Sequence, residues 1–111
     1  MMSESKIQRA IRIALNRTMR VRVVRNNVGS VTTADGRFIS FGVGRGSADL
    51  LGVLRSGRAV GFEIKAATGR VSDDQRRWHE AARKWGVFVA VVRSVDEALE
   101  ALARAEQGAC E

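Results

Sequence analysis

The sequence predicts an α/β fold in which a mixed central β-sheet is flanked by helices, in the order α-β-β-β-β-α-β-α. Three observations lead there. Apolar residues recur at helical spacing near both ends of the chain and again after residue 72. Between them lie short strand-like segments joined by glycine-containing turns. A continuous apolar run, Val87–Val92, follows the middle helix, as expected of a strand covered on both faces. A meander followed by a helix and a crossover strand gives a sheet of mixed direction.

Residues 3 to 19 form the first helix, because Ile7, Ala10, Ile11, Ala14 and Leu15 fall on one stripe at i, i+3, i+4, i+7 and i+8. Lys6, Arg9, Arg12, Arg17 and Arg20 project from the opposite side. Glu4 lies at the edge of the stripe. It is either a first-turn charge favoured by the helix dipole or a group aimed inward. Val21–Asn27 follows as a strand with Val21 and Val23 on one face. Asp35-Gly36 marks a hairpin turn, and Arg37–Phe41 is the next strand. The loop Gly42–Ser47 matches no nucleotide-binding fingerprint. Its glycines indicate a bend needing left-handed backbone more simply than a phosphate cradle.

Ser47–Leu54 and Ala59–Lys65 are the next two strands, and their register carries the main functional argument. A two-residue Ser56-Gly57 turn would pair Leu50 with Glu63 and send Asp49 to the other face. A three-residue loop, Arg55-Ser56-Gly57, pairs Leu54 with Arg58 and Asp49 with Glu63. Such loops want glycine at their last, left-handed position, where Gly57 stands; a bulge reaches the same result. Side chains alternate across a strand, so Glu63 and Lys65 share the face opposite Val60, Phe62 and Ile64. Charges in so apolar a strand are costly to bury unless a metal or polyanion sits there. Two carboxylates converging at strand ends make a hard-oxygen site for Mg²⁺ or Mn²⁺, completed by a backbone carbonyl, taken as that of Ile64, and by water. Lys65 beside it can hold an attacking water and offset charge on a phosphate. Taken alone, the Glu-x-Lys pattern equally fits a surface ion pair on a half-exposed sheet.

Ser72-Asp73-Asp74-Gln75 is a capping box opening the second helix, with Trp78, Ala81, Ala82 and Trp85 as its apolar face. Gln75 lies on the side of Trp78 and so can point inward. Used as the box, its side chain folds back on the cap and cannot also meet a ligand. His79 falls off the apolar face and is expected at the surface. After the Val87–Val92 strand, Ser94–Glu97 is a second capping box, starting the last helix through Ala98, Leu99, Leu102 and Ala105.

The chain has 111 residues, one domain's worth, with an ordered core expected over about residues 3–106. No apolar run is long enough to span a membrane. The first residues lack a signal-peptide core. The single cysteine, Cys110, excludes an internal disulfide and a cysteine zinc site, and fits a reducing cytoplasm. Net charge is +7 and unevenly spread. Seven Lys/Arg face one acid in residues 1–25, whereas five acids face one base from Ser94 onward. A strongly basic half points to a polyanion partner, most simply nucleic acid, although basic residues also merely solubilise.

These residues fall in a known order: Glu4–Gln8, Arg25–Gly29, Gly36–Gly42, Gly46–Gly52, Phe62–Lys65 and Gly69–Gln75. The set resembles the PD-(D/E)XK nuclease superfamily, specifically a stand-alone, virus-type VRR-NUC domain, over most of the chain. The resemblance implies a restriction-endonuclease-like fold and a Mg²⁺- or Mn²⁺-dependent endonuclease acting on DNA, with no organic cofactor. It carries over Asp49 and Glu63 as metal ligands, Lys65 as the catalytic lysine, Gln75 as an additional active-site residue and Glu4 as the helix acid completing the site. The family's aspartate usually follows Pro or Ser; here Ala48 precedes it, a position that shapes the turn and binds no metal. Small stand-alone members are similar to homodimeric resolvases of four-way (Holliday) junctions, and larger ones act on flaps. The resemblance therefore implies a homodimer cutting branched DNA in a bacterial or phage-infected host cytoplasm. Flap-selective or nonspecific cleavage, or a non-catalytic DNA-binding module, are the alternatives. DNA contacts are expected from Lys6, Arg9 and Arg12, and otherwise from Arg45, Arg70 and Arg76.

Overall fold

The computed structural model describes residues 2–111. Helix α1 (Glu4–Arg17) starts at the N-cap Ser3, whose side chain accepts from the Lys6 amide, and buries Ile11 and Leu15 completely. The expected stripe is therefore the one that packs. The chain then forms β1 (Val21–Arg25), β2 (Gly29–Thr32), β3 (Phe38–Phe41), β4 (Leu50–Leu54) and β5 (Ala59–Ile64). Helix α2 (Asp73–Lys84), strand β6 (Phe88–Val92) and helix α3 (Val95–Glu106) complete it.

The central sheet has the order β1-β4-β5-β6. Its first two pairings are antiparallel and β5/β6 is parallel, so the sheet is mixed. One face carries Val21, Val23, Leu50, Phe62, Ile64, Phe88 and Val92 into a core closed by α1 and α3. Alternation sends Glu63 to the opposite face, under α2. Phe62 and Phe88 meet in this core as a tilted ring pair, centroids 6.2 Å apart. At the sheet edge the Asn16 amide both accepts from Val23 N at 2.8 Å and donates to Val23 O at 3.0 Å, occupying part of β1's open ladder.

The hairpin joining β4 and β5 has the expected register. Leu50 pairs with Phe62 and Val53 with Ala59, which sets Asp49 one step on opposite Glu63. Leu54 N donates to Arg58 O at 2.9 Å, and Gly57 takes φ +92° in the three-residue loop.

The element order contains one more strand than expected. The Val21–Asn27 segment ends as a strand at Arg25, although Asn26 N still donates to Asp49 O at 2.8 Å, and the Asn26 side chain reaches into the loop before β4. It donates to Ser47 Oγ (2.6 Å) and Ala48 O (3.0 Å) and accepts from Val43 N (3.3 Å). The chain turns there, and β2 pairs with β3 as a two-stranded ribbon apart from the main sheet. The Asp35-Gly36 turn thus closes β2 onto β3, with Gly36 at φ +85°.

The α2 surface also differs from expectation. Ala81 is exposed, and Trp85 caps the helix with 89% of its surface open. The inward stripe is Gln75, Trp78, His79, Ala82 and Arg83. His79, expected at the surface, is 3% exposed. The reason lies beneath the helix: buried Glu63 must have hydrogen-bond donors, and the polar stripe supplies them. At the last helix Ser94 is the N-cap as expected, but Glu97 accepts from Arg93 N (3.0 Å), one residue before the cap. Among the described residues no helix is long and apolar enough to cross a membrane.

Candidate active site

Strands β4 and β5 bring the two carboxylates together from opposite sides of a hairpin. Asp49 precedes β4, and its Oδ2 accepts from Ile64 N at 2.8 Å. Glu63 is fully buried near the end of β5. Lys65 follows β5, is 8% exposed, and is tied down by its own amide donating to Val92 O at 3.1 Å. Helix α2 holds both Glu63 oxygens: Oε1 lies 3.0 Å from His79 Nε2, and Gln75 Nε2 donates to Oε2 at 3.3 Å.

Gln75 does two things at once. Its Oε1 accepts from Ser72 N at 2.9 Å, completing the capping box, while its Nε2 faces Glu63. Folding back on the cap therefore still leaves the other end of the amide facing the site. An amide has an acceptor and a donor end, and the two point to different elements.

The electrostatics follow from this crowding. Burial, and then the Glu63 carboxyl group beside it, push Asp49 up to about 7, against the Ile64 amide and the Lys65 charge. Glu63 is raised too, first by burial, with a contribution from Glu4. Glu4 is itself exposed at the start of α1, yet near enough for its charge to reach Glu63. Burial and the Arg83 charge lower His79, which favours the neutral ring, and its Nε2 shares a hydrogen bond with the Glu63 carboxyl group.

A polar cavity of about 260 Å³ opens beside Asp49 and Gln75, lined also by Gln8, Arg25, Asn26 and Ser47. Among the described residues no three His, Cys, Asp or Glu side chains converge as a metal-binding group. The donors present still suit a hard divalent cation. Two adjacent carboxylates lack a neutralising charge in contact, and Mg²⁺ is commonly held by one or two carboxylates with several waters retained. Asp49 and Glu63 would hold it.

The basic residues are less uniform. Lys6, Arg9 and Arg70 are exposed. Arg45 and Arg76 are exposed but paired with Asp74 and Asp73 of α2. Arg12 is half-buried, with its Nε enclosed and without a hydrogen-bond partner. His79 and Asn26 are the residues that reading the sequence missed. His79 stands four residues after Gln75, on the same side of the helix, and that spacing was the available signal.

The sequence model of the family described as VRR-NUC domain matches residues 2–96. A solved structure described as a VRR-NUC domain is similar over 90% of this chain and 94% of its own, with 25% identity and a TM-score of 0.63. No curated protein matches.

Proposed function

The chain belongs to the VRR-NUC domain family, a nuclease-type domain, and from this we infer that it is a Mg²⁺- or Mn²⁺-dependent, structure-selective DNA endonuclease that resolves four-way junctions as a homodimer. The observation carrying this reading is the apposition of Asp49 and Glu63 across the β4–β5 hairpin, with Lys65 buried beside them.

Asp49 and Glu63, with the Ile64 carbonyl, would hold the cation. Bound there, it supplies charge neutralisation and Lewis-acid activation of water for phosphodiester hydrolysis. Gln75 and His79 keep the Glu63 carboxylate oriented from the α2 side, as groups behind a ligand do. The Lys65 ammonium offsets negative charge building on the phosphate in the transition state. Glu4 adds a further acid at the rim. A dimer answers a geometric need: one domain offers one such site, while resolving a junction takes two symmetric cuts. Junction preference then needs no base contacts, since the backbone path alone is read.

The test is cleavage of linear, flap and four-way DNA with Mg²⁺, Mn²⁺ or Ca²⁺, alongside Glu63→Ala and Lys65→Ala, with the mass measured by light scattering. Paired incisions in the four-way substrate by a dimer, lost in both variants and weak in Ca²⁺, are expected. Near wild-type cleavage by Glu63→Ala sinks the site. A monomer cutting flaps much faster than junctions removes the resolvase part and leaves the nuclease.

A further inference from the structure

We propose that the β2–β3 ribbon forms a second nucleic-acid subsite, whose groove takes an unpaired nucleotide with its base stacked on Phe38. The register of the ribbon pairs Ser30 with Ser40 and Thr32 with Phe38, so these four share one face. Val31 and Ile39 pair on the other. The first face borders a cavity of about 620 Å³, closed on its far side by the glycine loop at Gly44, Arg45 and Gly46. That volume lies within the roughly 300–1,000 Å³ of ligand sites.

Position makes the groove more than a surface hollow. Val28 and Gly46 line both this cavity and the smaller one beside Asp49 and Gln75. The two therefore adjoin, and a strand leaving the carboxylates has the ribbon groove next to it. The lining suits a nucleotide. Phe38 is 70% exposed and offers a ring face. The Ser30 and Ser40 hydroxyls on the same wall can each donate or accept to a base edge. At the shared lip the Arg45 side chain is 90% exposed even while paired with Asp74, and Arg25 is exposed on the smaller cavity. Both are placed for phosphates.

The same features select against continuous duplex. A base inside a duplex has both π faces covered by its neighbours, so only an unpaired base can present one to Phe38. A flap or a single-stranded end supplies such a base, and a four-way junction supplies one where a pair at its crossover opens. The identity of the neighbouring subsite rests on the nuclease reading above, whereas the binding itself does not.

The experiment is therefore a binding one in EDTA, where no cutting occurs. A short single-stranded oligonucleotide carrying one 2-aminopurine reports stacking by its quenching. Wild type and Phe38→Trp should quench it. Phe38→Ala should lose the quenching and bind about 5- to 150-fold more weakly, the range for one base–aromatic stack. Blunt duplex should bind Phe38→Ala and wild type alike, and Val31→Ser, on the opposite face, should behave as wild type with both DNAs. Equal quenching by Phe38→Ala and wild type overturns the subsite. So does an equal weakening on blunt duplex, or a dimer that dissociates in Phe38→Ala, which would mean a second copy covers this face. Quenching that persists in a protein cleaving nothing sinks the nuclease reading and leaves the subsite standing.

Discussion

Asp49 sits under opposing influences: burial and Glu63 favour its protonated form, while the Ile64 amide and Lys65 favour the carboxylate. Its folded value, about 7, stands above the ordinary 3.8, so the folded chain binds this proton more tightly than the unfolded one. Its contribution to stability is complete below 3.8 and is lost as pH rises through about 7. Asp49→Asn removes the repulsion, and its oxygen can still accept from Ile64 N. In EDTA it should melt above wild type in alkaline buffer, by roughly 1–3 kcal/mol, and close to wild type in acid. Cleavage should be abolished. An Asn variant less stable in alkaline buffer would contradict the buried like-charge pair. His79 allows a second test at this scale. His79→Ala leaves Glu63 Oε1 buried without its partner, which should cost roughly 1–3 kcal/mol, seen as a lower urea midpoint at unchanged slope. A change within about 0.5 kcal/mol is what an exposed histidine would give, and would count against the hydrogen bond.

Helix α2 is both an ordinary capped helix and one wall of the site, and Gln75 joins the two roles. Gln75→Glu separates them. The new carboxylate can still accept from Ser72 N, and an acid at that position is favoured by the helix dipole by about 0.3–1 kcal/mol. It also replaces the donor facing Glu63 with a third negative charge. Helicity should be retained while the metal-free protein melts lower than wild type in alkaline buffer, recovers in acid, and gains more from added Mg²⁺. A melting point unchanged at every pH would mean that Gln75 serves the cap alone. The loop before β4 is joined to this same helix end. Gly46 takes φ +82°, and a Cβ there would stand 2.3 Å from Asp74 O, so only glycine lets the chain carrying Asp49 pass so close to α2.

Charge is arranged over the whole molecule, and part of it is already spent internally. Arg20 pairs with Glu106 and Arg104 with Glu111, both acids of the segment from Ser94 onward. Lys6 and Arg9 on α1 are exposed and open for phosphates, and Arg12 beside them is half-buried. Replacing Lys6 and Arg9 together with Gln should weaken binding to linear, flap and four-way DNA by similar factors. The log–log salt slope should fall by about 0.9 for each phosphate no longer neutralised. An unchanged slope would move the phosphate track to Arg25 and Arg45, which line the two adjoining cavities.

By itself the sequence determined what is local. The apolar stripe of α1, the Ser72–Gln75 cap and the three-residue loop ending in Gly57 each depend on neighbours a few residues apart, and each was legible. The loop is why the Asp49–Glu63 pairing could be read as well: a hairpin's register follows from its turn. What only the tertiary structure decided involves groups far apart in the chain. The rotation of α2 that buries His79 and leaves Trp85 open is set by Glu63, sixteen residues before His79, which needs donors once it is buried. Where β2 and β3 part from the main sheet, Asn26 bonds to Ser47 and Ala48, across more than twenty residues. The burial that raises Asp49 to about 7 exists only when strands and helices close around it. Spacing encodes periodicity and turns, but desolvation and the partners of a buried charge are properties of the packed molecule.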